Sequence, residues 1–303
     1  MRAVVDIGSN SIKYLLAQSE RGALVPLESR SWVTRLGKNL ETNGGFLEED
    51  SLRDTEKALA EIAARLIGPR KLDLLRVVAT AAARNAKNQD QLTSRVKKHL
   101  GVELEILSGQ DEALWSMRGA LQAAEQHFPK ERFVFLDIGG ASTEVGFLRP
   151  TFRAHSFEGG ALRCHQGLGL DKIPVGDEAW NDAHIDIQKY FPESSYKELL
   201  SEYQSKTYRA VAVGGTLLLA TSYCSPILTS PAGCLVTRSE LEELADRVRR
   251  KNMKDRLAMT GMDVDRADIL PAGILVLSTC LARLGQDEVF VTGWGLRHGL
   301  ITS

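Results

Sequence analysis

Two carboxylates bracket a run of small and hydroxylic residues in the stretch Phe133–Phe147. An apolar run ends on Asp137, the turn Ile138-Gly139-Gly140-Ala141-Ser142-Thr143 follows, and a second apolar run opens with Glu144. Two short strands joined by such a turn could aim successive backbone N–H groups into one concavity and hold an anion there, with glycine tolerating the dihedrals this needs. Asp137 and Glu144 would flank that concavity, placed to hold Mg²⁺ or to orient water. An ordinary hairpin whose Gly-Gly merely makes the turn fits the same residues.

A near copy favours the first alternative. Asp6-Ile7-Gly8-Ser9-Asn10-Ser11 matches Asp137-Ile138-Gly139-Gly140-Ala141-Ser142, with Asp, Ile, Gly and the final Ser identical. One such turn near the start of each half predicts duplicated halves that face each other across a cleft. Residues Gly8, Ser9, Asn10 and Ser11 would then pair with Gly139, Gly140, Ala141, Ser142 and Thr143 in binding phosphate.

Further residues could carry chemistry. Ser108-Gly109-Gln110-Asp111-Glu112 opens a helical stretch in which Ser108 and Asp111 suit a capping box, and acids in a first turn suit the helix dipole. Helix capping alone accounts for the acids, but Glu112 at a domain boundary could also serve as general base toward water. Arg84 follows a strand and a run of small residues, where a guanidinium fork suits a phosphate; a surface arginine is the plain alternative. Arg35, Arg163 and Arg297, beside glycines, present the same choice. Gly214-Gly215-Thr216 could approach a phosphate closely or simply form a tight strand-to-helix turn. Six basic residues between Arg247 and Arg256 follow four acids on one helix, the order that the macrodipole favours on a solvated face.

Composition narrows the function class. The formal net charge of −1 provides no basic field for a nucleic-acid polymer or an anionic membrane. Four cysteines without a Cys-x-x-Cys pair fit reduced thiols and a cytoplasmic address. No apolar run approaches a membrane span. Neither a P-loop, a Rossmann glycine fingerprint nor a nucleophile elbow is present, and no histidine spacing suits zinc. A metal, if used, would be a hard ion such as Mg²⁺.

The elements that must position these residues alternate. Strands are expected over residues 2–7, 11–18 and 23–33, a helix over 48–66 closed by Gly68-Pro69, a strand over 72–79 and a helix over 90–99. A strand over 102–107 then leads into the helix that starts near Ser108. Past Arg132 come the hairpin, a strand from Thr151 to Phe157 and a helix from about Gly159. Helices over 184–204 and 238–251, a strand over 208–213, a long helix over 266–284 bent near Pro271 and Gly273, a strand over 288–292 and a short terminal helix complete the chain. The class is α/β.

Taken together, these motifs resemble the exopolyphosphatase/guanosine pentaphosphate phosphohydrolase (Ppx/GppA) family of the actin-like ATPase superfamily. Asp6–Ser11 and Asp137–Glu144 are similar to its two phosphate motifs, and Arg35-Leu36-Gly37 to the loop after its third strand. Thr80–Asn88 resembles the segment that places Arg84 on phosphate. Ser108–Ala113 resembles Ser-Gly-x-Glu-Glu-Ala, whose second glutamate is catalytic and corresponds to Glu112. Gly214–Thr216, Arg266–Asp268 with Gly273, and Gly295–Arg297 follow in order. Two positions depart: Ala141 stands where a third glycine is usual, and His298 where a glutamate is usual.

The resemblance implies two ribonuclease-H-like domains, each a mixed sheet flanked by helices, over 1–124 and 125–295, with residues 296–303 packing back on the first. It implies the short two-domain form, without the C-terminal helical region of longer relatives. It further implies release of orthophosphate from the end of inorganic polyphosphate, with Glu112 activating water, Arg84 neutralising charge, and Asp6, Asp137 and Glu144 holding Mg²⁺. 5′-Phosphohydrolysis of guanosine pentaphosphate and a non-catalytic polyphosphate or nucleotide sensor are the alternatives, with inorganic polyphosphate or guanosine penta- or tetraphosphate as the partner and a homodimer compatible with each.

Overall fold

The computed structural model describes residues 1–20, 23–40, 42–67, 71–147, 152–201 and 208–302. Gly68 and Pro69, Thr151 and the 202–204 end of the expected helix lie outside these. The chain divides into two units, Met1–Gly119 with Gly295–Ser303, and Ala120–Trp294.

The first unit is built on strands β1 (Arg2–Ile7), β2 (Ser11–Glu20), β3 (Ala23–Val33), β4 (Leu74–Ala79) and β5 (Leu104–Ile106), ordered β3-β2-β1-β4-β5. The β1–β2–β3 meander is antiparallel, while β4 and β5 join in parallel. Its helices are α1 (Glu49–Leu66), α2 (Ala81–Arg84), α3 (Gln89–Leu100) and α4 (Gly109–Glu125). Alternation within β1 sends Ala3, Val5 and Ile7 into one core with Leu52, Leu59 and Ile62 of α1 and Leu92 and Val96 of α3. Asp6 lies on the opposite face of the strand from that set.

The second unit orders β6 (Phe133–Ile138), β7 (Thr143–Phe147), β8 (Arg153–Phe157), β9 (Arg209–Val213), β10 (Leu228–Ser230), β11 (Gly233–Thr237) and β12 (Glu288–Val291) as β10-β11-β12-β9-β6-β7-β8. Its helices are α5 (Ala161–Gly167), α6 (Asp177–Asp186), α7 (Glu193–Ser201), α8 (Gly215–Thr221), α9 (Arg238–Arg249), α10 (Met253–Leu257) and α11 (Leu270–Arg283). In this sheet β6–β7–β8 repeats the antiparallel meander and β9 pairs with β6 in parallel, as β4 does with β1. The last helix, α12 (Leu296–Ile301), belongs to the first unit.

Three expectations are corrected. The helix expected over 184–204 is two helices, because Pro192 cannot donate the intrahelical bond that a continuous helix needs. Pro271 does not bend α11 but sits in its first turn, where its missing N–H costs nothing. The strand expected over 102–107 is only Leu104–Ile106, and the hairpin β10–β11, turning at Pro231-Ala232, is an element for which there was no expectation. Among the described residues, no helix is long and apolar enough to cross a membrane.

The acid-then-base run expected on one solvated helix spans α9 and α10, and two of its six bases, Arg249 and Arg256, are buried. Thr237 and Glu240 form a reciprocal capping box at the start of α9. At its end Arg249 and Arg250 both pair with Asp177 and Asp246. Arg256 is fully buried and donates to five carbonyls, those of Val248, Arg249, Lys251, Ala267 and Asp268.

Candidate active site

In the first unit, β4 delivers Thr80 and the single-turn helix α2, so Arg84 lies just past the sheet edge. Its Nη1 donates to the Leu107 carbonyl at 2.6 Å and stands 3.4 Å from Glu112 Oε2. The first contact is a strong charge-assisted bond that fixes the guanidinium. The second is long, between side chains 32% and 36% exposed. A pair of that kind is worth about 1 kcal/mol or less, so an arriving anion can take its place.

Glu112 is held by the start of α4. Ser108 Oγ accepts from the Asp111 amide at 3.1 Å and donates to Asp111 Oδ2 at 2.7 Å, and the Glu112 amide makes the first helical bond to the Ser108 carbonyl. Asp111 is thus absorbed by capping, and Glu112 is the acid of that turn which meets Arg84.

The two hairpin turns close identically. Gly8 N donates to the Ser11 carbonyl at 3.0 Å and Gly139 N to the Ser142 carbonyl at 3.0 Å. Neither these glycines nor Gly140 has positive φ, so the expectation that they supply unusual dihedrals is corrected. Close approach is what demands small residues. A Cβ on Gly160 would lie 2.5 Å from the carbonyl of Gly140, because the first amides of α5 bond back to the carbonyls of residues 139–141. In the first unit the amides of Thr34 and Arg35 bond to the Asn10 carbonyl, and Gly37 N to that of Ser9. The carbonyls of both turns are therefore consumed. The amides of Ser9, Asn10, Gly140 and Ala141 donate to no backbone carbonyl among the described residues, which is the polarity that an anion site requires.

Beyond the turns the copies diverge in charge. Asp137 faces Glu144 across β6–β7, whereas Asp6 faces Lys13 across β1–β2. Glu144 Oε1 accepts from Ser142 Oγ and Ser156 Oγ, both at 2.8 Å, which orients its carboxylate. Two facing carboxylates on one hairpin are the kind of donor that a hard ion such as Mg²⁺ would take. No cluster of three or more His, Cys, Asp or Glu side chains able to cage a metal occurs among the described residues. Asp6 has cations for neighbours, Lys13 and Arg297, and burial pushes its carboxyl above the usual range.

Gly214-Gly215-Thr216 lies at the end of β9, beside β6. Gly214 takes φ 144°, and a Cβ there would stand 2.8 Å from the Ile138 carbonyl. A Cβ on Gly215 would meet the Arg266 guanidinium at 2.8 Å, and one on Gly273 would meet Thr216 Cγ2 at 2.6 Å. The structure therefore brings Gly214–Thr216, Arg266 and Gly273 to the end of the strand that leads into the second turn. Gly214→Ala is expected to destabilise the protein by about 1–3 kcal/mol, since both the dihedral and the contact oppose a side chain. Urea unfolding measures this, and an unchanged midpoint contradicts it.

Of the other arginines, Arg163 pairs with Glu158 at 3.1 Å. Arg297 donates to the Tyr14 carbonyl and to Ser29 Oγ, tying α12 to the β2–β3 pair. Arg35 is exposed, has φ 48° and makes no ion pair among the described residues.

The model of the Ppx/GppA phosphatase family matches residues 15–303. The chain belongs to this family. It is similar to exopolyphosphatase 1 of Mycobacterium tuberculosis, 29% identical over 311 positions that cover 98% of this chain and 86% of that protein. The same identity over 98% of this chain and 87% of the relative holds for exopolyphosphatase 1 of Mycobacterium leprae. Among solved structures it resembles a Ppx/GppA phosphatase of Aquifex aeolicus, with TM-score 0.79 and 25% identity over 98% of this chain and 97% of that one. The chain is thus an enzyme of a phosphatase family, with two mixed sheets, each flanked by helices.

Both departures from the family pattern have a local account. Ala141 has no positive φ, so a methyl group does not strain the turn. His298 is only 6% exposed, on the buried side of α12. Burial, with Arg297 adding to it, pushes its imidazole down to about 3. Above about pH 6.5 folded and unfolded forms are both neutral there. Between about pH 6.5 and about 3 only the unfolded chain takes the proton, so stability falls as pH falls, by up to about 1.4 kcal/mol per unit. His165 and His184 shift in the same direction, so the contribution of His298 is read by difference. Between pH 7.5 and 5, His298→Gln should lose less in urea midpoint than the wild type; equal losses would show that His298 is not held neutral.

The partners missed at first were Lys13, Ser156 and Thr34. Carrying the comparison of the two turns two residues further, to Lys13 and Glu144, would have found the first. Ser156 and Thr34 come from neighbouring strands and loops and carried no local signal.

Proposed function

We propose that the protein is an exopolyphosphatase that hydrolyses the terminal phosphoanhydride of inorganic polyphosphate. The observation that carries this is the Arg84–Glu112 pair, a fixed guanidinium beside a carboxylate at the start of α4, in a chain whose relatives are named exopolyphosphatases. In this reading the terminal phosphoryl group takes over the contact with Arg84, and Glu112 accepts a proton from the attacking water. The amides of Ser9 and Asn10 in the first unit, and those of Gly140 and Ala141 in the second, are the donors offered to phosphate oxygens, with Gly214–Thr216 as a further candidate contact in the second. Asp137 and Glu144 are the residues that would hold Mg²⁺, which supplies neutralisation of phosphate-oxygen charge when bound. Asp6, bordered by Lys13 and Arg297, is the weaker match to a cation.

Phosphate release from polyphosphates of several lengths, pppGpp and ATP, with Mg²⁺ and with chelator, tests the reading. Polyphosphate should be turned over with the highest kcat/KM, and chelator should suppress it. Turnover of pppGpp alone would transfer the assignment to guanosine pentaphosphate. Binding without any release would make the protein a sensor.

A further inference from the structure

A second cavity, of about 100 Å³, opens within the second unit between α6, α9 and α11. Its walls are Trp180, Ala245, Ile274 and Leu275, and its polar groups are His184, Glu242 and Ser278. Ser278 is 4% exposed, and its hydroxyl has no hydrogen-bond partner. The neighbouring Thr279 bonds back to the Leu275 carbonyl at 2.8 Å, whereas Ser278, one of the residues that line the cavity, makes no such bond. A buried hydroxyl left unpaired costs about 1–3 kcal/mol, so it calls for a partner from outside the chain.

The surroundings define that partner. Trp180 is fixed, with the Arg249 guanidinium 5.5 Å from its ring centre and His184 edge-on at 5.1 Å. Arg249 is itself held by Asp177 and Asp246, so the indole wall is preformed. Among the described residues that line the cavity Glu242 alone is an acid or a base, and its carboxylate stands 4.0 Å from Arg238, the outer limit of an ion pair. Burial lowers the His184 pKa, while the Glu242 carboxylate works against that shift, and the ring offers an acceptor or a donor at the cavity wall. An apolar, indole-walled cavity with one carboxylate, an imidazole and an unsatisfied hydroxyl suits an ammonium group on a short aliphatic body.

We propose that this cavity is a binding site for a small primary amine in its ammonium form, with Glu242 and Ser278 receiving the –NH₃⁺ and Trp180, Ile274 and Leu275 packing its chain. The site shares no residue with the hairpin turns or with Arg84 and Glu112, and it stands independently of the hydrolase reading.

The test titrates the full-length protein with n-butylammonium, and with n-butanol and butyrate as neutral and anionic counterparts of the same length. Indole N–H resonances report binding, with Trp180→Phe assigning the responding signal. Saturable binding of n-butylammonium at Trp180 is expected, at least about tenfold tighter than n-butanol, with butyrate excluded. Glu242→Gln should weaken it about tenfold or more, and Ser278→Ala severalfold. Both side chains can be replaced without adding volume, and unfolding midpoints no lower than that of the wild type would show that the variants are intact. The proposal is overturned if the folded wild type shows no saturation at Trp180, if n-butanol binds equally well, or if neither variant changes the affinity.

Discussion

Glu112→Gln is expected to lower kcat for phosphate release by about 10²–10⁴-fold, the contribution of a positioned general base. The substitution keeps the size and hydrogen-bonding reach of the side chain but removes its capacity to take a proton. Folding should be almost untouched. Ser108 and Asp111 carry the helix cap, and the contact with Arg84 is a half-exposed pair at 3.4 Å, worth about 1 kcal/mol or less. KM should change little, because the loss falls on the step and not on binding. Steady-state release with a parallel urea melt checks both halves of the statement. Near-wild-type turnover in a folded variant would remove Glu112 from the chemistry.

Arg84→Met should cost about 10²–10³-fold in kcat/KM, comparable to losing one preorganised group that stabilises developing charge. The side chain does two things that can be separated. It anchors on the Leu107 carbonyl at 2.6 Å, and it presents its remaining donors next to Glu112. Arg84→Lys keeps the charge but loses the planar fork, so it should recover only part of the activity. If Arg84 served only to brace Leu107, Arg84→Met would lower the unfolding midpoint and leave kcat/KM of the folded fraction unchanged.

Much of this arrangement was legible in the sequence because it was written twice. Asp6–Ser11 and Asp137–Ser142 share residue types, and both fold into a turn closed by the same Gly-to-Ser backbone bond at 3.0 Å. The capping pair Ser108–Asp111 was equally plain, since capping is a local rule that needs no knowledge of the rest of the chain. What could not be read was anything that depends on neighbours distant in sequence. The glycines of the turns were expected to be there for their dihedrals, yet the constraint at Gly160 is a carbonyl twenty residues away in the chain. Nothing next to His298 in the sequence marks it as buried, but α12 returns to pack on β1 of the first sheet and His298 is 6% exposed. Pro192 could have been read as a break, because proline rarely lies within a helix. The apolar periodicity on either side masked it.

The charge asymmetry of the two hairpins gives the account its direction. A hairpin carrying Asp137 opposite Glu144 is matched to a cation, whereas one carrying Asp6 opposite Lys13 is better matched to the phosphate anion. The two turns share their closing backbone bond, and the residue at one cross-strand position, Lys13 or Glu144, distinguishes their electrostatics.

The most direct measurement is the hydrolysis of a polyphosphate of defined length in ¹⁸O-labelled water. Attack of water on the terminal phosphorus predicts chains shortened one phosphate at a time, with one solvent oxygen in each released orthophosphate and none in the remaining chain. Label in the shortened chain, cleavage at internal bonds, or no release of orthophosphate would contradict the account.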